Sequence, residues 1–220
     1  MKYYPILLDI EGKDCLVVGA GPVGARKAAT LEACGARVTV ISQTFSDQFN
    51  ALKTNSILCR QKEYEPGDLL GMFLVFAATN NAQLNQKIRQ DAAQGKILCN
   101  VVDALDSSDF ILPSIVQRGD LILAVSTSGA SPALAKKIRQ DLEKQIGPEY
   151  ETILQVMGNI RKKLLASGHA PDVHKKIFYT LIEAGLLEMI KAEDESKINS
   201  VLNDLLGKEY NYQELGLTQK

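Results

Sequence analysis

The sequence predicts an α/β fold in which a doubly wound parallel sheet is followed by a β-hairpin and a helical module. Three observations predict it. Short apolar runs alternate with helical stretches as far as position 103. Two further apolar runs are joined by Gln117-Arg118-Gly119-Asp120, which reads as a hairpin turn. Beyond Gly147-Pro148 the apolar residues recur at helical spacing. Divided at these changes, the chain reads as residues 1–103, 104–146 and 147–220.

The elements follow in order. Ile6–Asp9 and Cys15–Val18 are strand candidates separated by the turn Glu11-Gly12-Lys13-Asp14. A helix is predicted from Pro22 to Cys34, where Gly35 stops it. Arg37–Ile41 and Ile57–Arg60 are short strands, and Phe73–Ala78 is apolar throughout, as a parallel strand covered on both faces requires. A helix over Ala82–Gln94 leads into the strand Lys96–Val102. Right-handed crossovers bring the strand C-termini, and any ligand site, to one edge. Phe110–Val116 and Leu121–Ser126 form the hairpin; Ser131 caps and Pro132 opens a helix to Ile146. Ile153, Val156, Met157, Ile160 and Leu164 mark the next helix, and two more are expected over Pro171–Lys191 and Asp194–Leu206.

Composition narrows the function classes. With 220 residues, 45% hydrophobic and 23% charged, the chain can bury a substantial core. A formal charge of −1 argues against nucleic acid as the main partner. No apolar stretch is long enough to span a membrane, and the N-terminal residues do not read as a signal peptide, so the expected location is the cytoplasm. Cys15, Cys34, Cys59 and Cys99 form no CxxC pair and read as reduced, buried thiols. His169 and His174 read as surface residues, and no resident metal site is expected.

Gly19-Ala20-Gly21-Pro22-Val23-Gly24 fits GxGxxG with a strand before it and a helix after it. Gly19 permits the tight turn, Gly21 lets backbone approach a pyrophosphate, and Gly24 lets the helix pack closely. Pro22 opens the helix, and its start amides from Val23 onward then face the anion, so the first unit reads as a Rossmann-like nucleotide-binding domain. The second strand ends Ile41-Ser42-Gln43, without the acid that usually takes the ribose hydroxyls. Ser42 can exchange hydrogen bonds with a ribose hydroxyl at lower discrimination, which predicts only a modest preference between NAD and NADP. Ala78 and Thr79 close the fourth strand with small residues, suited either to passage of a nucleotide or simply to packing.

These residues join a longer series: Pro5-Ile6-Leu7-Leu8-Asp9, Arg26-Lys27-Ala28, Ala77-Ala78-Thr79-Asn80, Asn100-Val101-Val102-Asp103, Phe110-Ile111-Leu112-Pro113-Ser114 and Ser126-Thr127-Ser128-Gly129-Ala130-Ser131-Pro132. The series resembles the precorrin-2 dehydrogenase/sirohydrochlorin ferrochelatase family, the dehydrogenase–chelatase module of siroheme synthase, over about residues 3–146. The resemblance implies NAD-dependent oxidation of precorrin-2 to sirohydrochlorin, followed in bifunctional members by insertion of ferrous iron to give siroheme. It implies a homodimer, with the hairpin and C-terminal helices building the interface and the tetrapyrrole cleft. The family does not require the acid after the second strand, so NAD remains the expected cofactor.

The family's catalytic aspartate maps onto Asp103, which could take a proton in the oxidation and N–H protons during metal insertion. An Asp after a strand is also a common turn former. Asn100, in the same motif, is a substrate-binding candidate. Precorrin-2 is rich in carboxylates, so Arg118, Lys136, Lys137 and Arg139 are candidate partners, although charges on a helix are often simply solvated. Ser126, Thr127 and Ser128 can bind a carboxylate or cap the following helix. Some dehydrogenase-only members lack the aspartate. The presence of Asp103 therefore leans toward the bifunctional type, while a dehydrogenase without chelatase activity stays open and so, more remotely, does a nucleotide-sensing regulatory domain.

Overall fold

The computed structural model describes residues 2–52, 56–167 and 171–215. It divides into two compact units, Met1–Leu112 and Pro113–Lys220. The first contains β1 (Asp14–Ala20), α1 (Pro22–Ala33), β2 (Arg37–Phe45), the short α2 (Asp47–Asn50), β3 (Leu58–Gln61), β4 (Leu74–Ala77), α3 (Ala82–Gln94) and β5 (Leu98–Val101). The five strands run parallel in the order β3-β2-β1-β4-β5. The chain winds outward from β1 to β3 and then restarts at β4 on the other side. The switch point therefore lies between the C-terminal ends of β1 and β4, where doubly wound sheets hold ligands.

Strand alternation builds a core on each face. Val17, Val40 and Phe76 pack with Ala25, Ala28 and Leu31 of α1. Leu16, Ile41, Val75 and Cys99 pack with Ile88 and Ala92 of α3. From Cys15 onward the central strand β1 is apolar and buried because both its faces are covered, with Leu16 and Val17 fully buried.

In the second unit, β6 (Ser114–Arg118) and β7 (Leu121–Val125) pair antiparallel, and α4 (Pro132–Gln145) packs on both. Then come α5 (Glu149–Ala166), α6 (Pro171–Glu183), α7 (Leu186–Lys191) and α8 (Glu195–Leu206). Val156, Ile160, Leu164, Leu181, Leu186, Ile198 and Leu202 form their shared core. The segment after α8 returns to it: Asn159 Nδ2 donates to Leu215 O at 2.7 Å, and Tyr210 and Leu215 are buried. Among the described residues no helix is long and apolar enough to cross a membrane.

Several expectations need correction. Ile6–Asp9 is not a strand, and Ile6, Leu7 and Leu8 are exposed. Both edges of β1 are occupied by β2 and β4, so the preceding segment cannot pair with the strand it leads into, and Asp9 Oδ1 instead accepts from Glu11 N in a local turn. The hairpin begins at Ser114 rather than Phe110; Pro113 offers no N–H to a ladder, and the Phe110 ring packs edge-on against Phe76 at 5.6 Å. That packing also carries the first unit past 103. Asp109 N donates to Cys99 O at 2.8 Å, so the chain after β5 folds back onto it.

The helix expected over Pro171–Lys191 breaks at Gly185, whose φ of +80° the α-helix cannot accommodate. His174 is buried rather than at the surface, and His169 lies outside the described residues. All four cysteines are free, but only Cys15 and Cys99 are buried; Cys34 and Cys59 are exposed.

Candidate functional site

Three glycines shape the loop after β1, for different reasons. Gly19 has a φ of +108°, and a Cβ there would stand 2.4 Å from Ala78 O. A Cβ on Gly24 would fall 1.9 Å from Gly19 O, so this glycine lets α1 press against the loop. Gly21 is different: its φ of −76° suits any residue, and a Cβ would meet nothing within 4 Å. The protein's own packing does not require glycine at 21, where open space lies beside a helix start. Gly21 is also the N-cap of α1, offers no side-chain acceptor, and is followed by Pro22 with no acid in the first turn. The amides from Val23 onward thus keep the positive potential of a helix N-terminus. These residues fit the pyrophosphate of a dinucleotide.

The opposite wall is the end of β4. Ala78 N donates to Val18 O at 2.8 Å, which sets the backbone of Ala78 against Gly19. Thr79 is held by Asn85, a buried polar residue on α3: Thr79 N and Oγ1 donate to Asn85 Oδ1 at 3.2 and 2.6 Å, and Asn85 Nδ2 donates to Thr79 O at 3.0 Å. Sequence reasoning missed Asn85. The signal was a polar residue in register with the buried Ile88 and Ala92 on one helical face. Ser46 was missed too; its N and Oγ both donate to Ala20 O, at 3.1 and 2.9 Å, tying the end of β2 to the glycine loop. The Ser42 hydroxyl donates to Thr44 O at 2.6 Å and is therefore engaged with backbone.

Asp103 follows β5, exposed, with a φ of +62° that Asp tolerates better than most side chains. Its loop is pinned on both sides. Ser108 Oγ accepts from Val101 N at 2.9 Å, and Asp109 accepts from Cys99 N at 3.0 Å while pairing with Arg89 at 2.6 Å. Asn100 is buried, and its Nδ2 donates to Phe110 O at 2.9 Å, so this amide group holds the returning segment. Lys27 on α1 completes the surroundings. Its ammonium lies 5.5 Å from the centre of the Phe76 ring, and burial pulls its pKa down, helped by Arg26 and opposed by the charge of Asp103.

In the second unit the candidate charges are unequal. Arg118 donates to Gln117 O at 2.8 Å and to Glu143 O at 3.3 Å, bracing the hairpin against α4. Lys137 pairs with Asp141 and Arg139 with Glu143, each at 2.6 Å. Lys136 is exposed and makes no ion pair among the described residues. Ser126 Oγ accepts from Ser128 N at 3.1 Å, and Thr127 Oγ1 exchanges bonds with Ser131 N and O at 3.1 and 3.0 Å. Ser131 then caps α4 by accepting from Leu134 N at 3.2 Å. Ser128 is exposed, with a φ of +54°. The Ser126 and Thr127 hydroxyls thus shape the turn into α4.

Comparison with known proteins extends over both units. A family described as NAD(P)-binding matches residues 6–114, and one described as sirohaem biosynthesis protein, central, matches residues 118–145. A siroheme synthase of Vesicomyosocius okutanii subsp. Calyptogena okutanii is 33% identical over 220 residues, covering 96% of this chain and 47% of that protein. One of Nitrosococcus oceani is 34% identical over 207 residues, covering 94% of this chain and 44% of that protein. The chain thus spans a little under half the length of these curated relatives. A solved structure titled SirC, precorrin-2 dehydrogenase, superposes with a TM-score of 0.70 at 28% identity, covering 82% of this chain and 89% of that one.

Proposed function

The chain belongs to the precorrin-2 dehydrogenase/sirohydrochlorin ferrochelatase family, and from that membership we propose that it oxidises precorrin-2 to sirohydrochlorin with NAD. The observation that supports this most is the superposition on a precorrin-2 dehydrogenase over 89% of that chain. Gly19–Gly24, Ala78 and Thr79 hold the dinucleotide, with the α1 amides on its pyrophosphate. When bound, NAD supplies the hydride acceptor.

Removing two hydrogens as hydride and proton leaves the proton to a base, and Asp103 takes that role. The pinned loop keeps its backbone fixed beside β5. Inserting ferrous iron into sirohydrochlorin releases two N–H protons, and the same carboxylate can receive them. Iron here is a substrate, and we propose the chelatase step as the second activity. Lys136, the one of the three candidate cations on α4 with no ion pair among the described residues, meets a substrate carboxylate.

We further propose a homodimer. β6 and β7 bury Val116 on their α4 side but expose Ile115 and Ile122, which strand pairing places on the opposite face. A second copy would cover that face. The location proposed is the cytoplasm.

The test follows precorrin-2 absorbance under anaerobic conditions with NAD, and then after adding ferrous iron. NAD-dependent conversion supports the dehydrogenase, and an iron-dependent second change supports the chelatase. No conversion of precorrin-2 rejects the first, and uncatalysed iron insertion at the blank rate rejects the second. Asp103→Ala should fold, bind NAD and lose about 10²–10⁴-fold in both rates. Normal iron insertion by that variant would confine Asp103 to the oxidation.

A further inference from the structure

The end of β2 offers no acid to the adenosine ribose, and its Ser42 hydroxyl is engaged with Thr44 O. The neighbouring strand supplies what β2 lacks. β3 runs parallel to β2 with Ser42 opposite Gln61, and Lys62 N continues the ladder by donating to Ser42 O at 3.2 Å. The residues after β3 therefore emerge at the same C-terminal edge as Gln43. There Gln43 Nε2 donates to Glu63 Oε1 at 2.7 Å, and Gln61 Nε2 donates to Gln43 O at 3.1 Å. One amide side chain, that of Gln43, thus holds an exposed carboxylate beside the last residues of β2, and a second, that of Gln61, holds the Gln43 backbone.

Nearby cations do not cancel it. Lys62 is paired with Glu65 and Asp68, at 2.8 and 3.0 Å. Arg60 alternates to the opposite face of β3 from Gln61. Glu63 Oε1 is taken by Gln43, which leaves Oε2 as an acceptor for a hydroxyl donor.

We propose that Glu63, oriented by Gln43, accepts the ribose hydroxyls of the adenosine half of the dinucleotide and rejects a 2′-phosphate. It is a specificity-determining residue reached across the strand boundary, in place of an acid on β2. The proposal rests on the dinucleotide reading of Gly19–Gly24. It replaces the modest cofactor discrimination expected from Ser42 with a clear preference for NAD, because a carboxylate and a phosphate in one subsite repel each other.

Calorimetric titration of NAD and of NADP, without tetrapyrrole, tests this in the wild-type protein and in Glu63→Gln, Glu63→Ala and Gln43→Ala. Both positions, Gln43 and Glu63, are exposed, so the three variants fold. The expected result is tighter NAD binding by wild type, with the NAD/NADP affinity ratio falling about tenfold or more in both Glu63 variants. Gln43→Ala should give a smaller fall in the same direction. An unchanged ratio in Glu63→Gln overturns the proposal, as does an equal loss of both nucleotides. Binding of neither nucleotide by the wild-type protein would instead overturn the loop assignment itself, and the proposal with it.

Discussion

Thr79 and Asn85 hold each other through three hydrogen bonds, two from Thr79 to Asn85 Oδ1 and one returned from Asn85 Nδ2 to Thr79 O. Asn85→Ala removes the shared acceptor and leaves a partly buried N–H without a partner, at a cost of about 1–3 kcal/mol. The turn it releases packs against Gly19, so NAD affinity should fall as well. Thermal unfolding with and without NAD checks both. A variant that melts with the wild type would show that the clamp contributes nothing.

The three loop glycines should separate in mutagenesis. Alanine at Gly19 or Gly24 drives a Cβ into backbone oxygen, at 2.4 and 1.9 Å, and should destabilise the fold by about 1–3 kcal/mol or more. Gly21→Val meets no protein atom within 4 Å of the new Cβ and should unfold within about 0.5 kcal/mol of wild type. Its defect should appear only in NAD titration. Unchanged NAD affinity in a folded Gly21→Val protein would mean that the open space beside Gly21 is not the cofactor's.

Charge neutralisation on α4 should also be uneven. Lys137 and Arg139 already face Asp141 and Glu143, whereas Lys136 has no such partner among the described residues. Lys136→Gln should raise the KM for precorrin-2 and reduce its salt sensitivity more than Lys137→Gln does, because attraction between exposed charges is screened by salt. Steady-state kinetics across a salt series measures this. Equal effects of the two variants would remove the distinction.

The thiols predict both reactivity and alkaline stability. Burial pushes the Cys15 thiol from 9.0 up to about 11, with Asp14 adding to the rise. Burial likewise pushes Cys99 to about 11, with Arg89 opposing and Asp109 reinforcing. Since the unfolded chain ionises these groups first, it binds fewer protons than the folded chain between pH 9.0 and about 11, and stability falls as pH rises through that window. Denaturant unfolding below and above pH 9 should show the loss, and Cys15→Ala/Cys99→Ala should reduce it. Under native conditions a thiol reagent should modify Cys34 and leave Cys15 and Cys99 protected until the chain unfolds.

Much of the first unit was legible because its signals are local. An apolar run, GxGxxG and a helical period lie within Val17–Leu31, and the structure places β1, the loop and α1 there. The second helix of the tail was misread because one glycine inside a periodic stretch is compatible with a continuous helix; whether Gly185 takes a positive φ is decided by the packing of Leu181 and Leu186 into the same core. Ile6–Asp9 failed because an apolar run does not name its pairing partner, and β1, the strand it leads into, already has β2 and β4 on its two edges. The loop glycines were readable by spacing. The Asn85 clamp and the Gln43–Glu63 bond were not, because their partners meet only after the strands have taken their register.

The bond from Asn159 to the carbonyl of Leu215 spans 56 residues, and Leu215 is among the best-buried residues of the helical core. This gives biosynthesis a direction. The first unit, Met1–Leu112, has every strand of its sheet once β5 has left the ribosome and can close while the rest is still being made. The helical core has no such early point of completion, since the residues that seal it follow all of its helices in the chain. Nascent chains arrested near Leu206 should therefore already resist protease across the nucleotide unit while their helices are still cut, and extension past Leu215 should protect both.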